Sequence, residues 1–179
     1  ARGSGVYISM ARLNQLYGLN ASDSQTSMNA LMKKIIKKKT DLSFASKQIS
    51  QKLSNFPASK LPSRMPYGNF SAQLTDTLRI IGSETAIPVM HVQHGSFDTH
   101  DGQKWQHPKL LSELSDGLAS FRKNLINMGR WDDVLVMTYS EFGRRVAENG
   151  AQGTDHGTAS VQFVMGGKVN AGLYGDYPS

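Results

Sequence analysis

The chain has 179 residues, 39% of them hydrophobic and 19% charged, enough to bury a core and ordinary for a soluble globular domain. It carries a formal net charge of +6, and no apolar run approaches the length needed to span a bilayer, so no transmembrane segment is expected. Cysteine is absent, which excludes disulfides and thiolate metal sites and suits either the cytoplasm or an exported protein.

Residues 1–20 hold no apolar core of the kind a signal peptide needs. Residues 1–68 are rich in Ser, Lys, Asn and Gln and poor in aromatic side chains. Here the spacing of Met28, Leu31 and Ile35 predicts a helix from Ser24 or Ser27 to about Lys38. A second helix is predicted over Ser43–Leu53, on Phe44, Ile49 and Leu53. The stretch "KKIIKKKT" carries five lysines within Lys33–Thr40. Without arginine or interleaved aromatic residues it reads as a solvated helix face, and no nucleic-acid partner is expected. Three prolines and a glycine in "FPASKLPSRMPYGN" then mark a loop or linker over 54–69.

From Asn69 the pattern becomes regular, and 69–179 is expected to form an α/β core. Asn69 can N-cap a helix that carries Phe70, Leu74, Leu78 and Ile81, with Gly82 as its stop. "AIPVMHVQ", 86–93, reads as a buried strand. A polar loop over 94–107 follows. A helix is predicted over Pro108–Met128, with Pro108 in its first turn and Gly129 beyond its end. "DDVLVMTYS", 132–140, and "SVQFVMGG", 160–167, read as two further buried strands. Helices alternating with near-continuous apolar strands imply a mostly parallel sheet covered on both faces, with 86–93 and 133–139 in one shared sheet. Ligands of such sheets bind beyond the carboxyl ends of the strands.

The polar motifs cluster in this second part. All five histidines lie between His91 and His156. Asp98 and His100 stand two apart in "FDTH", so an extended backbone puts both on one face, where they can reach one ion. Loop residues of these types also serve as plain turn formers. His91 reads as packed within its strand, and His107 as a helix cap. "SEFGRR" places Glu141 and Arg144 after a strand. Arg144 offers a planar fork for phosphate, sulfate or carboxylate, while Glu141 could orient it, bind a metal or act as a base. A strand-end salt bridge between the two is the alternative. "GTDHG" joins Asp155 and His156 inside a frame of small residues. A regular strand would send the two side chains to opposite faces, whereas a glycine-flanked turn can present both to one divalent ion, whether Zn, Mn, Mg or Ca.

Taken in order, "GSFDTHDGQ", "LVMTYSEFGRRVAENGAQGTDHGTAS" and "FVMGGKVNAGLYGDYP" resemble a bacterial family known as domain of unknown function fifteen-oh-one. The resemblance covers 69–179 closely. It implies a branch of the alkaline phosphatase and sulfatase superfamily, with a three-layer α/β/α sandwich and one or two divalent metals. It also implies an exported, periplasmic location. "GTDHG" is similar to the superfamily's Thr-x-Asp-His-Gly setting, which implies Asp155 and His156 as metal ligands. "FDTH" would add Asp98 and His100, although the superfamily's more usual spacing is Asp-x-x-x-His. The superfamily's nucleophilic Ser or Thr comes from the N-terminal part of the fold, which "ARGSGVYISM" does not resemble. The chain is therefore expected to be the C-terminal part of such a protein, with neither Thr99 nor Ser140 taken as nucleophile.

The expected function is metal-dependent hydrolysis of phosphate or sulfate esters, incomplete in this chain, with Glu141 and Arg144 as catalytic candidates. The substrate would be a small anionic ester or a carbohydrate-linked one. A metal-stabilised binding or structural protein without turnover is the alternative.

Overall fold

A computed structural model describes residues 7–9 and 30–176. They fall into two units, one taking the described residues up to Leu61 together with Tyr67–Gln93, the other taking Pro62–Pro66 and the described residues from His94 onward. The compositional boundary at 68 therefore falls inside the first unit.

In the first unit, helix α1 spans Ala30–Asn55 without interruption, where the sequence suggested two helices. Residues 24–29, part of the first predicted helix, lie outside the described residues. Continuity costs little here, because 39–43 contains neither Gly nor Pro. Helix α2 spans Asn69–Gly82, close to the predicted range, and Gly68 rather than Asn69 occupies the N-cap. Phe70, Leu74, Leu78 and Ile81 are all buried, as their spacing requires. Ile80 packs with Ile49 and Leu53 of α1, joined by Ile87, Met90 and Val92. Arg79 closes the end of α1 by donating from Nε to the Phe56 carbonyl at 3.0 Å and from Nη2 to the Leu53 carbonyl at 2.8 Å. The Leu53 carbonyl also accepts from the Phe56 N–H at 3.2 Å, just past the last turn.

Strand β1, Tyr7–Ser9, pairs in parallel with β2, Val89–His91. Past β2, the side-chain amide of Gln73 continues the pairing in place of a strand. Its Nε2 donates to the Gln93 carbonyl at 2.9 Å, and its Oε1 accepts from the Gln93 N–H at 3.0 Å.

In the second unit, helix α3 spans Gln103–Asn127 and starts five residues before the predicted Pro108. Pro108 thus lies inside the helix and leaves one backbone bond unmade. Gln103 and His107 account for the early start, since both side chains are bonded to Thr99 ahead of the helix. Leu110, Phe121 and Leu125 are buried, and the fully buried Asn124 accepts from the Ser63 N–H at 2.9 Å. Short strands β3, Val136–Met137, and β6, Val164–Met165, pair antiparallel, as do β4, Gly143–Glu148, and β5, Thr154–Gly157.

The mostly parallel three-layer sandwich is not what forms. Among the described residues the strands make three separate two-stranded sheets, of which only β1–β2 is parallel. The segments 86–93 and 133–139 share no sheet. The apolar runs behind that expectation are largely uncovered: Leu135, Met137 and Tyr139 are 68%, 62% and 64% exposed, and Val161 and Phe163 are also exposed. An apolar run reports a tendency to be buried and not the presence of a second layer to bury it. The architecture is a small mixed α/β fold.

Candidate metal centre

The second unit assembles its polar motifs around the β4–β5 hairpin. Arg144 pairs with His156, but Glu148 pairs with Thr154, so β4 carries extra residues between these two points and the ladder is irregular. The loop joining the strands begins with Asn149-Gly150, a strong turn signal. The Asn149 Oδ1 accepts from the N–H groups of Ala151 and Gly153 at 2.9 and 3.0 Å and fixes the turn.

The loop 97–102 runs alongside. Thr154 N–H donates to the Thr99 carbonyl at 3.4 Å, and Gly102 N–H to the Ala151 carbonyl at 3.1 Å. The approach is close enough that a Cβ on Gly153 would overlap the His100 backbone, and one on Gly157 would stand 2.7 Å from the Arg144 carbonyl carbon. The small residues framing Asp155 and His156 thus let two backbones meet.

Three donor atoms converge there. The Nε2 atoms of His100 and His156 lie 3.2 Å apart, and Asp98 Oδ1 lies 3.1 Å from the first and 2.8 Å from the second. Donors bound at about 2.0–2.2 Å to a common ion stand about 2.8–3.1 Å apart in a six-coordinate arrangement and about 3.3–3.6 Å in a four-coordinate one. The observed triangle matches the six-coordinate spacing and is tighter than the four-coordinate one. Among the described residues, Asp98, His100 and His156 form the one group of His and carboxylate side chains whose ligand atoms lie close enough together to hold a metal ion. All three are solvent-exposed, so an ion could enter and keep open positions.

Asp155 sits on the other side of His100. Its Oδ1 is 3.4 Å from His100 Nδ1, a long hydrogen bond, and also accepts from Asn149 Nδ2 at 3.2 Å. A proton held on Nδ1 by this carboxylate leaves the Nε2 lone pair pointing into the triangle. Asp155 and His156 therefore do meet one target from a strand, each addressing a different nitrogen of the same imidazole.

Arg144 ties the motifs together. Its Nη2 donates to the Phe97 carbonyl at 2.8 Å and to Asp98 Oδ1 at 2.7 Å, and its Nη1 donates to the Thr154 carbonyl. The guanidinium lies over the Phe142 ring at 4.8 Å, and Phe142 stacks on His156 with ring centroids 3.8 Å apart. Glu141 is exposed and lies outside the group of converging ligand atoms.

Hydrogen bonds hold the carboxylates ionised. The His156 bond, ahead of Arg144 and the charges of the two rings, keeps the Asp98 carboxyl below its usual 3.8 despite some desolvation. For Asp155 the main cause is the Asn149 amide, followed by the His100 bond, again lowering it from 3.8.

Behind the triangle lies a layer that the motifs did not announce. Thr99, only 1% exposed, accepts from Gln103 Nε2 at 2.9 Å and meets His107 Nε2 at 3.1 Å. Gln103 Nε2 also donates to Thr154 Oγ1 at 3.0 Å, so one amide joins the residue between Asp98 and His100 to the residue before Asp155. Burial of the His107 ring, and secondarily the Arg144 charge, lowers its pKa from 6.5.

A family model described as "Protein of unknown function (DUF1501)" matches residues 10–179. The chain belongs to the DUF1501 family. No curated protein and no solved structure matches it. The match covers both units of this DUF1501 chain and includes every residue of the triangle and its supports.

Proposed function

We propose that this DUF1501 chain binds one divalent metal ion through Asp98, His100 and His156, and that the centre serves hydrolysis of phosphate or sulfate esters. The observation behind the reading is the donor triangle, whose edges of 2.8–3.2 Å suit three ligands of one ion. Two imidazoles beside a single carboxylate favour Zn or Mn over Mg or Ca, which prefer all-oxygen sets. Arg144 strengthens that preference by neutralising part of the Asp98 charge. Asp155 orients His100, and Asn149 orients Asp155. When bound, an ion in such an open site polarises an ester oxygen and acidifies bound water. The exposure of all three ligands leaves room for a small anionic ester or a carbohydrate-linked one.

A second reading has its own observation. The terminal nitrogens of Arg144 donate to Phe97, Asp98 and Thr154 within the protein, which suits a centre that pins 97–100 to β5 without turnover. Assays with nitrophenyl phosphate and nitrophenyl sulfate, adding Zn, Mn, Mg or Ca in turn, separate the two readings. Metal-dependent turnover lost in Asp98→Asn/His156→Ala supports the hydrolase. Stoichiometric metal uptake without turnover supports the structural centre, and absence of uptake removes both.

A further inference from the structure

The first unit holds a helical segment whose apolar side chains are uncovered. In α1 the described side chains buried in the core are Ser46, Ile49 and Leu53, all in its C-terminal half. From Lys33 to Phe44 nearly every side chain is exposed. A solvated face does not need the bulky apolar groups found there: Ile35, Ile36, Leu42 and Phe44 are 54%, 39%, 50% and 65% exposed. Ile35 and Leu42 are two helical turns apart and share a face with the buried Ile49, so the apolar row runs on past the core. Lys38 and Lys39, three and four positions after Ile35, flank that row on either side.

The charge pattern is unfavourable for an isolated helix. Lys33 faces Lys37 and Lys34 faces Lys38 at i,i+4, a destabilising spacing for like charges, and Asp41 is the single acidic residue of the segment. An anionic surface would remove this penalty. The segment holds no Arg, Asn or Gln to read or clamp a nucleic acid, whereas lysines bordering an apolar row can place their stems along acyl chains and their ammonium groups among headgroups. No helix of the described residues is long and apolar enough to cross a membrane, and a contact of this segment with lipid would be one along the surface.

We propose that the Lys33–Phe44 segment of α1 is a docking surface for an anionic phospholipid bilayer, with Ile35 and Leu42 in the acyl boundary and the lysines at the headgroups. The test is co-sedimentation of the full chain with vesicles of phosphatidylcholine alone, or with about one third phosphatidylglycerol. Binding is expected on the anionic vesicles, at least about tenfold weaker on neutral ones, and lost in roughly 1 M NaCl, where the screening length is about 3 Å. Lys34→Gln/Lys38→Gln should weaken partition by about 25-fold, roughly fivefold for each lysine. Ile35→Ser/Leu42→Ser, with all charges intact, should weaken it by about tenfold relative to the original chain. The salt arm uses the unaltered chain, so the proposal does not hang on a variant that fails to fold. Equal partition onto neutral vesicles, no partition onto anionic ones, or binding of a single-stranded oligonucleotide in their place would overturn it. So would an Ile35→Ser/Leu42→Ser chain that binds like the original, since that would leave only a patch of charge.

Discussion

Asn149 is the residue whose removal most sharply separates an organised centre from a chance grouping of exposed side chains. Its amide makes four hydrogen bonds: to the His100 carbonyl at 2.9 Å, to Asp155 Oδ1 at 3.2 Å, and from the N–H groups of Ala151 and Gly153 at 2.9 and 3.0 Å. A neutral hydrogen bond contributes about 0.5–1.5 kcal/mol net. Asn149 is half-buried, so water can replace part of the set. Asn149→Ala should therefore cost about 2 kcal/mol, a fall in Tm of roughly 4–8 °C for a protein of this size. Asn149→Asp keeps both acceptor bonds of the turn but sets a carboxylate oxygen against Asp155 Oδ1 and the His100 carbonyl, so it should cost at least as much as the Ala variant. The Ala variant should also bind Zn about 10–100-fold more weakly, because Asp155 and the His100 backbone lose their shared anchor. Urea melts followed by tryptophan fluorescence, and zinc titration by calorimetry, read the two effects. An Asn149→Ala chain within about 0.5 kcal/mol of the original, with unchanged zinc affinity, would refute the claim that this amide builds the centre.

Gly153→Ala should destabilise by at least ~2 kcal/mol, measured by the same melts, because its Cβ would overlap the His100 backbone. Arg144→Lys should weaken zinc binding about tenfold, since a lysine cannot meet Phe97, Asp98 and Thr154 together; restored affinity in that variant would contradict the bridging role. The His107 pKa is lowered in the folded state, so its contribution to stability is complete above about 6.5 and is lost as pH falls through the folded value. Asp98 and Asp155, lowered from 3.8, contribute losses only at more acid pH. Between about pH 7 and 5, urea melts of metal-free His107→Gln should show a shallower loss of stability than the original chain.

How much of this could be read in advance depends on what each residue's neighbours were. Phe70, Leu74, Leu78 and Ile81 give α2 directly, because a helix buries a stripe whatever it packs against. The run from Val134 to Tyr139 misleads for the opposite reason: its apolar side chains imply a covering layer, and Leu135, Met137 and Tyr139 have little cover. Pro108 suits a first helical turn, but side-chain bonds from Gln103 and His107 to Thr99 set the start of α3, and no periodicity encodes them. Asp98, His100 and His156 could be picked out by residue type and spacing, and they meet although 56 residues separate the two histidines. Asp155 was picked out with them, but its contact with the far side of His100 is a matter of three-dimensional placement. Gln103 was missed because an amide in a polar segment carries no chemical flag. Asn149 could have been found: Asn149-Gly150 is a strong hairpin signal, and it would have revealed the β4–β5 pairing that folds "SEFGRR" back onto "GTDHG".

The most direct test of the centre is calorimetric titration of the chain with Zn and with Mn, beside Asp98→Asn, His100→Ala, His156→Ala and Asp155→Asn. One ion per chain is expected, with affinity lost or reduced by about a hundredfold or more in the first three variants, and a smaller loss, about tenfold, in Asp155→Asn, where an orienting partner and not a ligand is removed. A chain that takes up no ion, or an Asp98→Asn/His100→Ala/His156→Ala chain that binds as tightly as the original, would contradict it.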